Sequence, residues 1–154
     1  MVILVNKKKT VWTIVVIALI VCCALLYKPY LKKFEYPLYM SEYVTVASGK
    51  YGVDPYLIYS VIKAESKFDE SAVSVKGAQG LMQITPDTAE WAMEKMGIEG
   101  EIFEPETNIL VGSWYLSKLI SDHDGNLTAA LAAYNAGSTN VNEWKDENGN
   151  LTIE

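Results

Sequence analysis

Glu65 is the residue whose placement breaks a rule. It follows Ile58, Val61 and Ile62 by seven, four and three positions, so on a helix it faces the same way as an apolar stripe. A carboxyl drawn into that setting stays protonated to a higher pH than in water. That is the property a general acid needs. The competing structural reading is a helix-end Glu turned to solvent or paired with Lys63 or Lys67. Gln83 is also out of place. It ends the run Gly77-Ala-Gln-Gly-Leu-Met-Gln-Ile, between Met82 and Ile84. Leaving its amide unpaired in the interior would cost about 1–3 kcal/mol, so it must bond to backbone or to a ligand. Tyr134 and Asn135 end an Ala-rich stretch whose small side chains admit another backbone or a ligand, and Gly137 permits positive φ. Read singly, each has a structural role: Gln83 as a loop staple, Tyr134 as core, Asn135 as a helix cap.

The elements that must hold these residues read as helices. Residues 38–51 carry Tyr39, Tyr43, Val46 and Ala47 at helical spacing, and Gly52 stops them. Asp54-Pro55 starts the helix that carries Glu65, with Asp as N-cap and Pro at the first helical position. Thr85-Pro86 opens a helix through Trp91 and Met96 that Gly97 closes. Residues 105–120 and 127–136 are two further helices, and Ser138 is placed to cap a short last one through Trp144. Residues 71–79 read as a loop, and the pattern allows a small β-ribbon around residues 71–84. The fold class expected is all-α, or mainly α with that ribbon.

Charge divides the chain. Of 154 residues, the first 35 hold six Lys against one Glu, for +5; residues 36–154 hold seven Lys against eighteen acids, for −11. A basic, apolar beginning joined to an acidic body suits a membrane and water respectively. Residues 11–27 are uncharged and preceded by Lys7, Lys8 and Lys9. As a helix they would reach roughly 25 Å, near the ~30 Å of the hydrocarbon layer. The stretch shows no polar face and no Ala-x-Ala cleavage site, and it runs into Lys28-Pro29, so it is read as an uncleaved transmembrane anchor. The divisions expected are a basic segment 1–10, an anchor 11–27, a linker 28–37 and a body 38–154. Cys22 and Cys23 fall within the anchor, which excludes a disulfide scaffold. The chain has no Arg, and its acidic balance argues against nucleic acid. The one His, His123, has no second His or body Cys to make a metal site or a Ser-His or Cys-His nucleophile.

Three ordered motifs resemble those of the lytic transglycosylases, in the soluble-lytic-transglycosylase-type catalytic domain. They are the run from Glu65-Ser-Lys-Phe through Gly77-Ala-Gln-Gly-Leu-Met-Gln-Ile-Thr-Pro, then Asn108-Ile-Leu-Val-Gly-Ser-Trp-Tyr-Leu, then Ala132-Ala-Tyr-Asn-Ala-Gly, across about residues 40–144. The resemblance implies a lysozyme-like helical domain that cleaves the MurNAc–GlcNAc β-1,4 bond of peptidoglycan and leaves a 1,6-anhydro-muramoyl end. It implies Glu65 as catalytic acid/base, with Ser74, Met82, Gln83, Tyr134 and Asn135 lining the glycan cleft and no metal, nucleotide or flavin. Family members continue with a Glu-Thr-Arg-x-Tyr segment that adds a Glu and a Tyr to the cleft floor. No such segment occurs up to Glu154, so the expectation is either a fragment or a cleft without its last wall. Two alternatives on the same scaffold are a hydrolytic muramidase and a non-catalytic glycan-binding module. The implied partners are peptidoglycan strands and, through residues 11–27, the cytoplasmic membrane, with the body on the cell-wall side. A wall-synthesis or secretion complex is a natural setting.

Overall fold

A computed structural model describes residues 11–23, 25, 40–144, 146 and 151–152. The chain divides into two units, Met1–Leu38 and Tyr39–Glu154. In the first, residues 11–23 and 25 are helical (α1), with every described side chain exposed. Among the described residues no helix is long and apolar enough to cross a membrane. The rest of the expected span, residues 24, 26 and 27, lies outside the described residues, as do the basic segment and the linker.

The second unit is helical: α2 (Ser41–Tyr51), α3 (Pro55–Glu65), α4 (Pro86–Met96), α5 (Pro105–Asp122), α6 (Leu127–Ala136) and the short α7 (Ser138–Glu143). Local chemistry sets the ends. The Asp54 carboxylate accepts from the amides of Tyr56 and Leu57 at 2.7 and 3.4 Å, and Pro55 needs no N–H partner at that position. Thr85 Oγ1 caps α4 at the Thr88 amide, 3.4 Å away. Gly52 and Gly97 close α2 and α4 in the left-handed conformation, at φ 70° and 65°. The last helix differs from expectation at its start. Gly137 is the N-cap of α7 and Ser138 its first residue, without a side-chain cap bond.

Helix α5 is the hub and packs against α2, α4 and α6, while α3 lies on α2 and α7 on α6. Its sequence explains this: Ile109, Val111, Leu116 and Leu119 are buried, with Gly112 letting a neighbour in close. The main core joins Met40, Val44, Ile58, Ile62, Leu81, Met82, Ile109 and Leu116, and a smaller cluster joins Leu119, the alanines of α6 and Val141. Between α3 and α4, where the pattern allows a small ribbon, there are two isolated antiparallel bridges, Val73 to Gln79 and Gln79 to Ile84. The turns at Gly77 and Gly80 leave no run long enough for a strand.

Candidate active site

Glu65 is the last residue of α3, and the chain turns away at once. Lys67 and Phe68 both adopt positive φ, 54° and 69°. Ser66 Oγ donates to the Ile62 carbonyl at 3.1 Å and accepts from the Phe68 amide at 3.1 Å. Two successive left-handed residues without glycine are costly, and such strain concentrates at functional sites. The effect is to leave the Glu65 side chain at a helix edge beside a hollow of about 270 Å³, lined by Leu57, Ser60, Val61, Ala64, Glu65, Leu131, Tyr134 and Asn135. Burial against this wall holds the Glu65 carboxyl above the usual carboxylate range.

A second hollow of about 230 Å³ lies across Tyr134 and Asn135, with Gln83, Thr85, Thr88, Tyr115 and Gly137 among its lining residues. The two hollows share Tyr134 and Asn135 and differ in character. One is walled by aliphatic side chains and the acid, the other by hydroxyls, amides and an aromatic ring. Tyr134 Oη donates to the Met82 carbonyl at 2.7 Å, which ties α6 to the loop before α4. Its hydroxyl is pushed well above the normal tyrosine range by burial first, then by the Glu65 carboxylate and Tyr115. Tyr134 therefore stays a proton-bearing donor. Its ring leans on Tyr115 at 5.5 Å between centroids, and Tyr115 meets Trp91 edge-on at 6.2 Å, so a row of rings backs the second hollow.

Gln83 serves both as staple and as lining. Its Nε2 donates to the carbonyls of Ala72 and Gly80, at 3.1 and 2.9 Å, with its own backbone at φ 48°. Two carbonyl acceptors fix which end of the amide faces inward. Ser74 is elsewhere. It is exposed, lines neither hollow, and closes its own loop by accepting from the Ala78 amide at 3.0 Å. Met82 lines neither hollow. It is fully buried, and a Cβ on Gly112 would sit 2.5 Å from its sulfur, so its thioether fills the core notch at Gly112 and its carbonyl serves the site. Of the expected residues, then, Glu65, Gln83, Tyr134 and Asn135 come together at the paired hollows, Met82 underlies them and Ser74 stands apart.

Two contributors belong to the second motif, but the sequence assigns them no role. Tyr115 lines the second hollow, but its spacing on α5 is that of a core residue. Asn108 is fully buried; its Oδ1 accepts from the Met82 amide at 2.7 Å, and its Nδ2 donates to the carbonyls of Gln79 and Ile102 at 3.0 and 2.8 Å. It thus sets the loop that bears Gln83 and the Met82 carbonyl. Gly80, at φ 73°, is required there because a Cβ would lie 2.2 Å from Asn108 Nδ2.

Comparison with known proteins identifies the family of this helical body. The family model described as "Transglycosylase SLT domain" matches residues 42–154. The soluble lytic murein transglycosylase of Escherichia coli K12 is 34% identical over 116 residues, 71% of this chain and 18% of that protein. Membrane-bound lytic murein transglycosylase C of Photorhabdus laumondii is 39% identical over 108 residues, 62% of this chain and 30% of its own length. The chain therefore spans less than a third of these relatives. Among solved structures, an inactive mutant of the lytic transglycosylase Slt of Pseudomonas aeruginosa superposes with a TM-score of 0.69 at 33% identity, covering 73% of this chain and 19% of that one. The 70 kDa soluble lytic transglycosylase of Escherichia coli gives 0.64 at 29% identity, covering 68% and 18%. With the match reaching from α2 to the end of the sequence, the chain belongs to the transglycosylase SLT domain family, and its helical body has the lysozyme-like fold of that family.

Proposed function

We propose that this chain is a membrane-anchored lytic transglycosylase of peptidoglycan, cleaving the β-1,4 bond between MurNAc and GlcNAc and leaving a 1,6-anhydro-MurNAc end. The observation that carries the reading is a single carboxyl, raised in pKa by burial, on the wall of one of two hollows that meet at Tyr134 and Asn135. Among the described residues lining those hollows, Glu65 is the only acid. A two-carboxylate hydrolase needs a second Asp or Glu as nucleophile or base. A route with one carboxyl does not.

On that route protonated Glu65 gives its proton to the glycosidic oxygen as the bond from C1 breaks. The developing positive charge on the ring meets neutral dipoles, from the substrate acetyl group and from amides such as those of Gln83 and Asn135. Ionised Glu65 then takes the proton of the muramoyl C6 hydroxyl, whose oxygen closes onto C1. The proton returns to Glu65 and no water is consumed. The nucleophile belongs to the substrate, so its effective concentration is high. The aliphatic wall of Leu57, Val61 and Leu131 keeps water from competing and keeps the acid protonated.

The apolar run 11–27 supports the anchor, with the body on the wall side of the membrane. Peptidoglycan strands are the partner this requires; Ser74 and Met82 are assigned to the cleft only through the family pattern. The test is product mass. Purified sacculi treated with the full chain in detergent should release muropeptides one water lighter than reducing-end products, and Glu65→Gln should release none. Reducing ends would replace the lyase by a muramidase. Binding to sacculi without release would leave a glycan-binding module.

A further inference from the structure

Lys67 and Phe68, directly after the acid, are left-handed without being glycine, so something must hold them. The bonds around them converge on Ser66. The last carbonyls of a helix have no amide partner from within it. Here the Ile62 carbonyl takes both the Ser66 amide and the Ser66 hydroxyl, each at 3.1 Å, and the Lys63 carbonyl takes the Lys67 amide at 3.2 Å. The same hydroxyl oxygen accepts from the Phe68 amide at 3.1 Å, and the Ser66 carbonyl accepts from the Asp69 amide at 3.1 Å. A side-chain oxygen that meets the amide two residues on draws the backbone off the helical path. In a continued helix the Phe68 amide would instead reach the Ala64 carbonyl. The Phe68 ring packs against the main core, which fixes the far side of the turn. From there the chain runs to Ala72, whose carbonyl takes the Gln83 side chain at 3.1 Å. Ser66 thus begins the stretch that spaces the acid from Gln83.

We infer that Ser66 is a positioning residue for the acid: its hydroxyl latches the left-handed turn that ends α3 at Glu65, and so holds that side chain against the wall of Leu57, Val61 and Leu131. This rests on the glycan-cleaving reading of Glu65. Ser66 lines neither hollow, so it acts through the backbone and not by touching a sugar. Without the hydroxyl the Phe68 amide loses its acceptor, the turn loosens, and the last residue of α3 swings between the wall and water. Less time against the wall lowers kcat at similar KM, since the second hollow is untouched. It also brings the carboxyl nearer its ordinary pKa, because burial is what raises it. Tyr134, the other titratable group on that hollow, stays protonated, and Lys63 and Lys67 beside the acid are exposed, so the titration reads Glu65.

The experiment uses the full chain in detergent and a soluble oligosaccharide of alternating GlcNAc and MurNAc. Ser66→Ala should lower kcat about tenfold with KM within about twofold, as expected for a misplaced acid, and should move the fall of kcat with rising pH to lower pH. Ser66→Thr, which keeps an oxygen at that place, should restore both. Ser71→Ala removes a hydroxyl from the next turn, where Ser71 Oγ donates to the Asp69 carboxylate at 2.8 Å, and should leave kcat and the pH profile unchanged. A Ser66→Ala chain with the kcat and pH profile of the unmodified chain overturns the inference, and so does an equal loss in Ser71→Ala. If the unmodified chain cleaves no glycan, the function itself is wrong, and carbon-13 NMR of the side-chain carboxyls then decides the positioning. The Glu65 resonance, identified by its absence in Glu65→Gln, should titrate at lower pH in Ser66→Ala, and an unmoved titration refutes the latch.

Discussion

Glu65 pays for its position, and the sign of that cost is testable. Burial raises its pKa in the folded chain, so ionising it is harder there than in the unfolded chain. Below the unfolded value, about 4.3 for Glu, the group is neutral in both states and costs nothing. As pH rises through the folded value the penalty grows, and above it the penalty is fully present. Glu65→Gln should therefore melt at least as high as the unmodified chain near neutral pH, with the gap closing toward pH ~4. A variant that melts lower at neutral pH would mean that the carboxylate makes a stabilising bond instead. The same wall sets the pH profile. Leu131→Asn, which makes the hollow polar, should move the fall of kcat with rising pH to lower pH, because the acid is lost sooner. The helical period already pointed Glu65 inward from the sequence. Periodicity alone did not carry Tyr134 beside it, since their meeting depends on how α3 and α6 lie together; only the family resemblance put both in one cleft.

At the scale of elements, punctuation was legible and long-range stapling was not. Asp54-Pro55, Thr85-Pro86, Gly52 and Gly97 mark helix ends where they were expected, because caps act within four residues. Helix α6 keeps the bounds read from its alanines and Gly137, while α5 runs two residues past Ile120. Asn108 opens the second motif, but its role was not legible: an Asn in the first turn of a helix is unremarkable until its partners 26 and 29 positions away are known. Asn108→Ala should remove the side-chain partner of the Met82 amide and of the Ile102 carbonyl, at about 1–3 kcal/mol for each buried group, while the Gln79 carbonyl keeps the Ile84 amide, and should loosen the Gln83 loop. Thermal melting should fall by several degrees, and glycan affinity should fall further than a surface control of equal stability. Gly80→Ala should be worse than Gly97→Ala. Both impose a side chain at positive φ, but only Gly80 would also drive a Cβ into Asn108, whereas Gly97 faces open space. Equal losses in urea unfolding would remove Asn108 from the account of the loop.

At the scale of the whole chain, the two units invite a separation of stability from location. Among the described residues, every member of both core clusters comes from residue 40 onward, beginning with the fully buried Met40. Residues 40–154 should then fold alone with the melting temperature of the full chain. Location should change, and two physical causes of membrane attachment can be told apart. Six Lys in the first 35 residues could bind an anionic surface, which salt screens within about 10 Å at 0.1 M. Residues 11–27 inserted as a helix would be held by apolar burial, at about 25 cal/mol per Å², which salt does not weaken. The described part of α1 is too short to cross, so insertion needs the remainder of that run to join the helix. The full chain should therefore stay with membranes through a wash in 1 M salt and leave in detergent, while residues 40–154 should be found in the soluble fraction. Release of the full chain by salt alone would reduce the anchor to a basic patch, and the hollows at Glu65 would then work without a fixed distance from the bilayer.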